Sequence, residues 1–202
     1  WLTSKVVGSN LSDPDGCRLV AFSSSSALTK ANASNAAERD LALKLRHSED
    51  QLLSQTPQVR TTIFRPTMIY GGPGDANVER IAAALRRCSV FPIVGGGKGI
   101  RQPVHAADLG IAAVAALLTP DTEGKIYVLA GGEKLSVKEM VRRVGALNGV
   151  RTRFIPVPRR PAEIALRLLA LLPRFRRVPA GALERLTSDL AFDYTDAARD
   201  FG

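Results

Sequence analysis

Arg18-Leu-Val-Ala-Phe-Ser-Ser-Ser-Ser-Ala27 is the stretch from which the rest of the chain can be read. Leu19 to Phe22 form a short apolar run that stops at a serine cluster. A run of that length, bounded by turn residues, reads as a buried strand. In open α/β sheets, ligands bind in the crevice outside the carboxyl ends of the strands. Serine hydroxyls released at that end can therefore face a ligand. The competing reading is that serines after a strand are turn formers.

Working outward, strands alternate with helices. Apolar positions Leu41, Leu45, Leu52 and Leu53, with charges between them, predict a helix over 36–54. Thr61 to Phe64 reads as the next strand, closed by Arg65-Pro66. A helix over 77–88, a strand over 90–94 and a glycine-rich turn at 95–97 follow. An alanine-rich helix over 106–118 is stopped by Pro120, and 125–129 is again a strand. Ser136 and Glu139 have capping-box spacing at the start of a helix to Leu147, and 153–157 reads as a strand. The last fifty residues look helical, in pieces cut by prolines. The alternation predicts an α/β fold with a mainly parallel sheet.

Composition narrows the function classes. With 202 residues, 45% hydrophobic and 23% charged, the chain is globular and long enough for one domain or a large piece of a bigger one. Two cysteines and two histidines exclude a disulfide scaffold and a clustered zinc site, so no metal is expected. Cys17 and Cys88 read as small buried side chains. The net charge is +9, and residues 142–177 hold ten arginines against the single acid Glu163. That stretch can be read as a core helix with a solvated basic loop, as a peripheral membrane contact by 161–177, or as a site for an anionic partner. Aromatic interleaving is thin there, so no nucleic acid is expected. There is no signal pattern, and the longest uncharged apolar run, Leu109 to Leu118, is too short to span a membrane. A cytoplasmic protein is expected.

Two further segments carry more specific information. Thr62-Ile-Phe-Arg-Pro-Thr-Met-Ile-Tyr-Gly-Gly72 is a strand, an Arg-Pro step and a glycine turn. Gly99-Ile-Arg-Gln-Pro-Val-His-Ala-Ala-Asp-Leu109 places an arginine and a short strand before an aspartate that starts a helix. With the serine strand and the closing Phe192–Gly202 segment, the order resembles the extended short-chain dehydrogenase/reductases, in their NAD-dependent epimerase/dehydratase branch. The resemblance implies the C-terminal part of a Rossmann-type doubly wound parallel sheet plus a small, mostly helical substrate domain. It divides the chain into a dinucleotide-binding part, 1–70 with 103–130 returning to it, and a substrate part, 71–102 and 131–202.

The resemblance also implies roles. Ser25 matches the catalytic serine, with Ser24 next in line. Pro66 and Thr67 would pass beside the nicotinamide, and Arg101 would grip a substrate diphosphate through its planar fork. The implied cofactor is NAD or NADP, and the implied substrate is a nucleotide-sugar or a related carbonyl or hydroxyl compound. The family's Gly-x-x-Gly-x-x-Gly turn does not occur in this sequence. The chain thus reads as a C-terminal fragment, with about 90–100 residues of βα units expected ahead of it. The family's Tyr-x-x-x-Lys pair is also missing. Leu41 and Leu45 stand at those positions, and a shift of one residue offers only Asp40 and Lys44. A degenerate member with a structural, dinucleotide-binding or membrane-associated role is the alternative.

Overall fold

The computed structural model describes residues 17–54, 59–72, 74, 75, 77–162, 164 and 187–201. The serine strand is β1 (Cys17–Phe22), followed by the single turn α1 (Ser26–Thr29) and the long helix α2 (Ala36–Ser54). Strand β2 (Val59–Pro66) pairs parallel with β1, Leu19 opposite Thr61 and Phe22 opposite Phe64. On its other side β2 pairs parallel with β7 (Ile126–Leu129), so the order is β1-β2-β7. A central strand covered on both faces needs a continuous buried run, and Thr61, Thr62, Ile63 and Phe64 are all buried. The Thr62 hydroxyl meets the requirement that buried polar groups be paired, by donating to Thr122 O at 2.9 Å.

Between β2 and β7 lie β3 (Ile69–Tyr70), α3 (Val78–Arg87), β4 (Val90–Val94), β5 (Ile100–Arg101), β6 (Val104–His105) and α4 (Ala106–Leu118). After β7 come β8 (Leu135–Ser136), α5 (Val137–Leu147) and β9 (Arg153–Val157); Thr195–Phe201 forms α6. Strands β3 and β6 pair parallel, as do β4 and β9, whereas β5 and β8 are antiparallel. The α/β fold with mainly parallel strands is thus the one expected. The α5 start is also as expected: Ser136 Oγ accepts from Glu139 N at 3.1 Å. The Glu139 carboxylate bonds Arg142 and Arg143.

Apolar side chains gather in two clusters. One joins Phe64, Tyr127 and Leu129 of the sheet to Val104, Leu109 and Ala116, with Ala197 of α6. The other joins Ala82 and Leu85 of α3 to Val137, Val141 and Val144 of α5, with Phe91 and Phe154 packed against it. Helix α6 is held to the sheet by rings and a charge. Phe201 lies edge-on to Tyr127 and Phe64, at centroid distances of 4.8 and 5.5 Å. The Tyr127 hydroxyl donates to Asp200 Oδ2 at 2.5 Å. Burial first, and then the Asp200 carboxylate, push the Tyr127 phenol far above its ordinary range. Tyr127→Phe keeps the ring packing and removes a buried donor to a charge. It is expected to lower stability by about 1–3 kcal/mol, read as a shift of the urea midpoint.

The cysteines differ from expectation, since Cys17 and Cys88 are both exposed free thiols. Cys17 is the first residue of β1, and Cys88 follows the last turn of α3, so each lies at the end of its element. Of the expected helical tail, α6 is described, and residues 165–186 lie outside the described residues.

Candidate functional site

Strands β1, β2 and β7 run parallel, so Phe22, Pro66 and Leu129 end at one edge of the sheet. The chain beyond them stays tied to that edge. Ser23 N donates to Phe64 O at 2.7 Å, Ser25 N to Pro66 O at 3.0 Å, and Thr67 N to Leu129 O at 2.9 Å. The serine segment, the Arg-Pro-Thr step and the end of β7 are therefore laid side by side by backbone hydrogen bonds alone.

Outside this edge is a small open cleft of about 130 Å³. Ser25, Ser26, Thr29 and Lys30 line it from the serine segment, and Thr67 and Met68 from the end of β2. Arg101 lines it from β5, Gln102 from the residue after that strand, and Leu190 and Phe192 from the C-terminal segment. Ser25, Thr67 and Arg101 are thus brought to one cleft from positions far apart in the sequence. Ser24 and Pro66 are not among the lining residues. Ser24 Oγ accepts from Ser26 N at 3.1 Å, the turn-forming role, and Pro66 is buried with its carbonyl accepting from Ser25.

Arg101 is buried, with Nη1 donating to Ile100 O at 2.6 Å and Ser188 O at 2.8 Å. It shares a parallel bridge with Leu190, so the arginine also anchors the segment before α6. Gln102 pins three segments together. Its Nε2 donates to Gly131 O at 2.7 Å, its Oε1 accepts from Phe192 N at 3.0 Å, and its carbonyl accepts from Thr67 Oγ1 at 2.5 Å. Gly131 permits this closeness, since a Cβ there would lie 2.0 Å from Pro103 O.

Behind the serine segment sits a buried charge pair. Glu49 of α2 accepts from Ser23 Oγ at 2.5 Å and from Arg65 Nε at 2.9 Å, and forms a further contact with Arg65 Nη2. Burial alone would raise the Glu49 carboxyl. The hydrogen bonds from Arg65 and Ser23, with the charges of Arg65 and Arg46, outweigh it and hold the carboxyl below its ordinary range. The strand-end ion pair is therefore the role of Arg65.

The positions implied for a tyrosine and a lysine carry no proton-transfer group. Leu41 is exposed and Leu45 half-buried, while Asp40 and Lys44 form an exposed pair at 2.7 Å. Tyr70, Tyr127 and Tyr194 do not line the cleft. His105 caps α4, its Nδ1 accepting from Ala107 N at 3.2 Å. Its ring fills the space beside Gly71, whose φ of 76° and close approach exclude a Cβ. Among the described residues no group of three or more His, Cys, Asp or Glu could hold a metal. No helix among them is long and apolar enough to cross a membrane. A membrane contact by 161–177 would fall mostly on residues outside the described ones.

Sequence reasoning missed Lys30, Gln102, Leu190 and Phe192 as cleft residues, and Ser23 as a partner of Glu49. No spacing marks them. Lys30 follows the serine motif without belonging to it, and Gln102 is set by contacts with residues 29 and 90 positions away.

Comparison with known proteins points the same way as the motifs. No family model matches the chain. It is 29% identical over 113 residues to the mitochondrial NADH dehydrogenase [ubiquinone] 1 alpha subcomplex subunit 9 of Arabidopsis thaliana, covering 55% of this chain and 27% of that protein. It is 25% identical over 131 residues to the UDP-glucose 4-epimerase of Vibrio cholerae, covering 64% of this chain and 40% of that enzyme. The chain thus spans less than half the length of these curated relatives. Among solved structures, the UDP-glucuronic acid 4-epimerase of Bacillus cereus, in complex with UDP-glucuronic acid and NAD, superposes with a TM-score of 0.62 at 16% identity, over 91% of this chain and 55% of that one. The parallel β1-β2-β7 sheet, with the motif cleft at its carboxyl edge, shares the Rossmann-like α/β fold of that solved epimerase.

Proposed function

We propose that this chain forms the substrate-facing part of an NAD(P)-dependent epimerase, dehydratase or reductase acting on a nucleotide-sugar or a related carbonyl or hydroxyl compound. The observation that carries the reading is the convergence of Ser25, Thr67 and Arg101 on one cleft at the carboxyl edge of a parallel sheet. The two hydrophobic clusters support a division of labour. The sheet with α4 belongs to the dinucleotide side, and α3, α5, β4 and β9 belong to the substrate side.

The residues present fit the nicotinamide end of the cofactor. The Ser25 hydroxyl makes no hydrogen bond with a described residue, and the 66–67 backbone runs beside it. When bound, the cofactor would supply the hydride acceptor and donor. Ser25 would donate to the substrate oxygen at the reacting carbon, holding it in line and stabilising charge that develops there. The 66–67 backbone would border the ring, and Arg101 would hold the substrate's diphosphate.

For Arg101→Lys the expected result is twofold. The lost fork weakens nucleotide-sugar binding by about 1–2 kcal/mol. The thermal midpoint falls as well, because the guanidinium also holds Ser188 O. Calorimetry and a melting curve read the two effects separately.

Leu41 and Leu45 favour a second reading, a member that binds a dinucleotide without redox chemistry. The experiment is turnover of NAD and NADP by the complete gene product encoding these residues, against a panel of UDP- and dTDP-sugars and simple carbonyl compounds. Cofactor binding without turnover across the panel would favour the second reading.

A further inference from the structure

We infer that the cleft binds a small oxyanion, a carboxylate or a phosphate group of the substrate, with Lys30 as its countercharge and Ser26 as a hydroxyl donor. The inference rests on the reading of this cleft as a substrate site, and it names the substrate class as acidic at the group held there.

The argument is an inventory of what the cleft still has to offer. No aspartate or glutamate among the described residues lines it. The hydroxyls of Thr29 and Thr67 already donate, to Ser25 O at 3.3 Å and to Gln102 O at 2.5 Å. Both ends of the Gln102 amide are engaged. Arg101 Nη1 is spent on two carbonyls. Lys30 is different: it is half-buried in the cleft lining and forms no ion pair with a described residue. Elsewhere Lys44 pairs with Asp40, Lys125 with Asp200, and Lys138 lies over the Phe154 ring. The Ser25 and Ser26 hydroxyls likewise make no hydrogen bond with a described residue. An ammonium has three donors and no acceptor, and the Ser26 hydroxyl can turn its proton toward the same point.

A neutral sugar hydroxyl both donates and accepts, and the described lining offers it no carboxylate to donate to. An oxyanion accepts only, and matches the ammonium and the hydroxyl. Charge-assisted bonds of this kind are about twice as strong as neutral ones. The apolar Met68, Leu190 and Phe192 beside them lower the local dielectric and strengthen the attraction.

The test uses the 202-residue chain, with inorganic phosphate and malonate as separate probes, by calorimetry at low salt and by amide shift mapping. Both probes should bind. Lys30→Met should weaken that binding about tenfold or more, Lys30→Arg should retain most of it, and Lys44→Met should change nothing. Shifts should centre on residues 25–30 and 67. The probe that binds more tightly identifies the source as phosphate or carboxylate. Binding unchanged in Lys30→Met, shifts confined to the arginine-rich 142–177 stretch, or no binding at all would each overturn the inference. If Lys30→Met does not fold, the shift map of the wild-type chain decides alone. Lys30-dependent anion binding without nicotinamide turnover by the complete gene product would remove the enzyme reading and leave this site standing. Turnover without anion binding would do the reverse.

Discussion

Glu49→Gln is expected to cost about 3 kcal/mol of stability, the low end of what breaking a buried ion pair costs. The glutamine is nearly the same shape, so packing is kept, but Arg65 loses its countercharge in a place where only 15% of its side chain is exposed. The double variant Glu49→Leu/Arg65→Met removes both charges and should recover most of the loss, because two apolar groups leave nothing unpaired. If the single and double variants lose equal stability, packing and not charge holds α2 to β2. The pair also sets a pH dependence. The Glu49 carboxyl titrates lower in the folded chain than its unfolded value of about 4.3, so its contribution is complete above that range and is lost as pH falls through the folded value. Urea midpoints between pH 6 and 3 should fall more steeply for wild type than for Glu49→Gln. Equal slopes would remove Glu49 as the source. Because Ser23 donates to Glu49, the same substitution loosens the segment that presents Ser25 to the cleft.

Ser25→Ala in the active protein is expected to reduce turnover by about 10–1000-fold, since one positioned donor to a developing oxyanion is worth as much as ~4 kcal/mol. The variant is clean. Ser25 sits at the cap position of α1 but makes no side-chain capping bond, so the melting temperature should barely move. Ser26→Ala should have a much smaller effect on kcat and act on KM, through the anion that Lys30 holds. Ser24→Ala should act through the fold, because its hydroxyl accepts from Ser26 N. Small and equal losses at all three serines would return the cluster to the turn-forming reading.

What could be read in advance is what is encoded locally. Helices α2, α4 and α5 and strands β1, β4 and β9 follow from apolar periodicity and their capping or breaking residues, which act within a few positions along the chain. The pairs β3 with β6 and β5 with β8 could not be read. Each is two residues long, and its partner lies more than thirty positions away, Ile69 with Val104 and Arg101 with Leu135. The buried or exposed fate of Cys17 and Cys88 was likewise invisible, because it depends on where a strand starts and where a helix stops.

The candidate site divides in the same way. The serine strand, Arg65-Pro66 and Arg101 stand out because each is a short pattern with its own geometry, and their order along the chain points to the Rossmann-like fold. That order says nothing about distance. Only the folded chain puts Lys30 and Ser25 beside Thr67 and Arg101, leaves Lys30 without an acid among the described residues, and commits Gln102 to Gly131 and Phe192. Sequence by itself determined the α/β fold class, because short-range propensity and strand periodicity suffice for that, while the site stretches were implied by the family resemblance. The composition of the cleft, and so its preference for an anion, was decided by tertiary structure. It depends on which donors are left over once the long-range hydrogen bonds and ion pairs have formed.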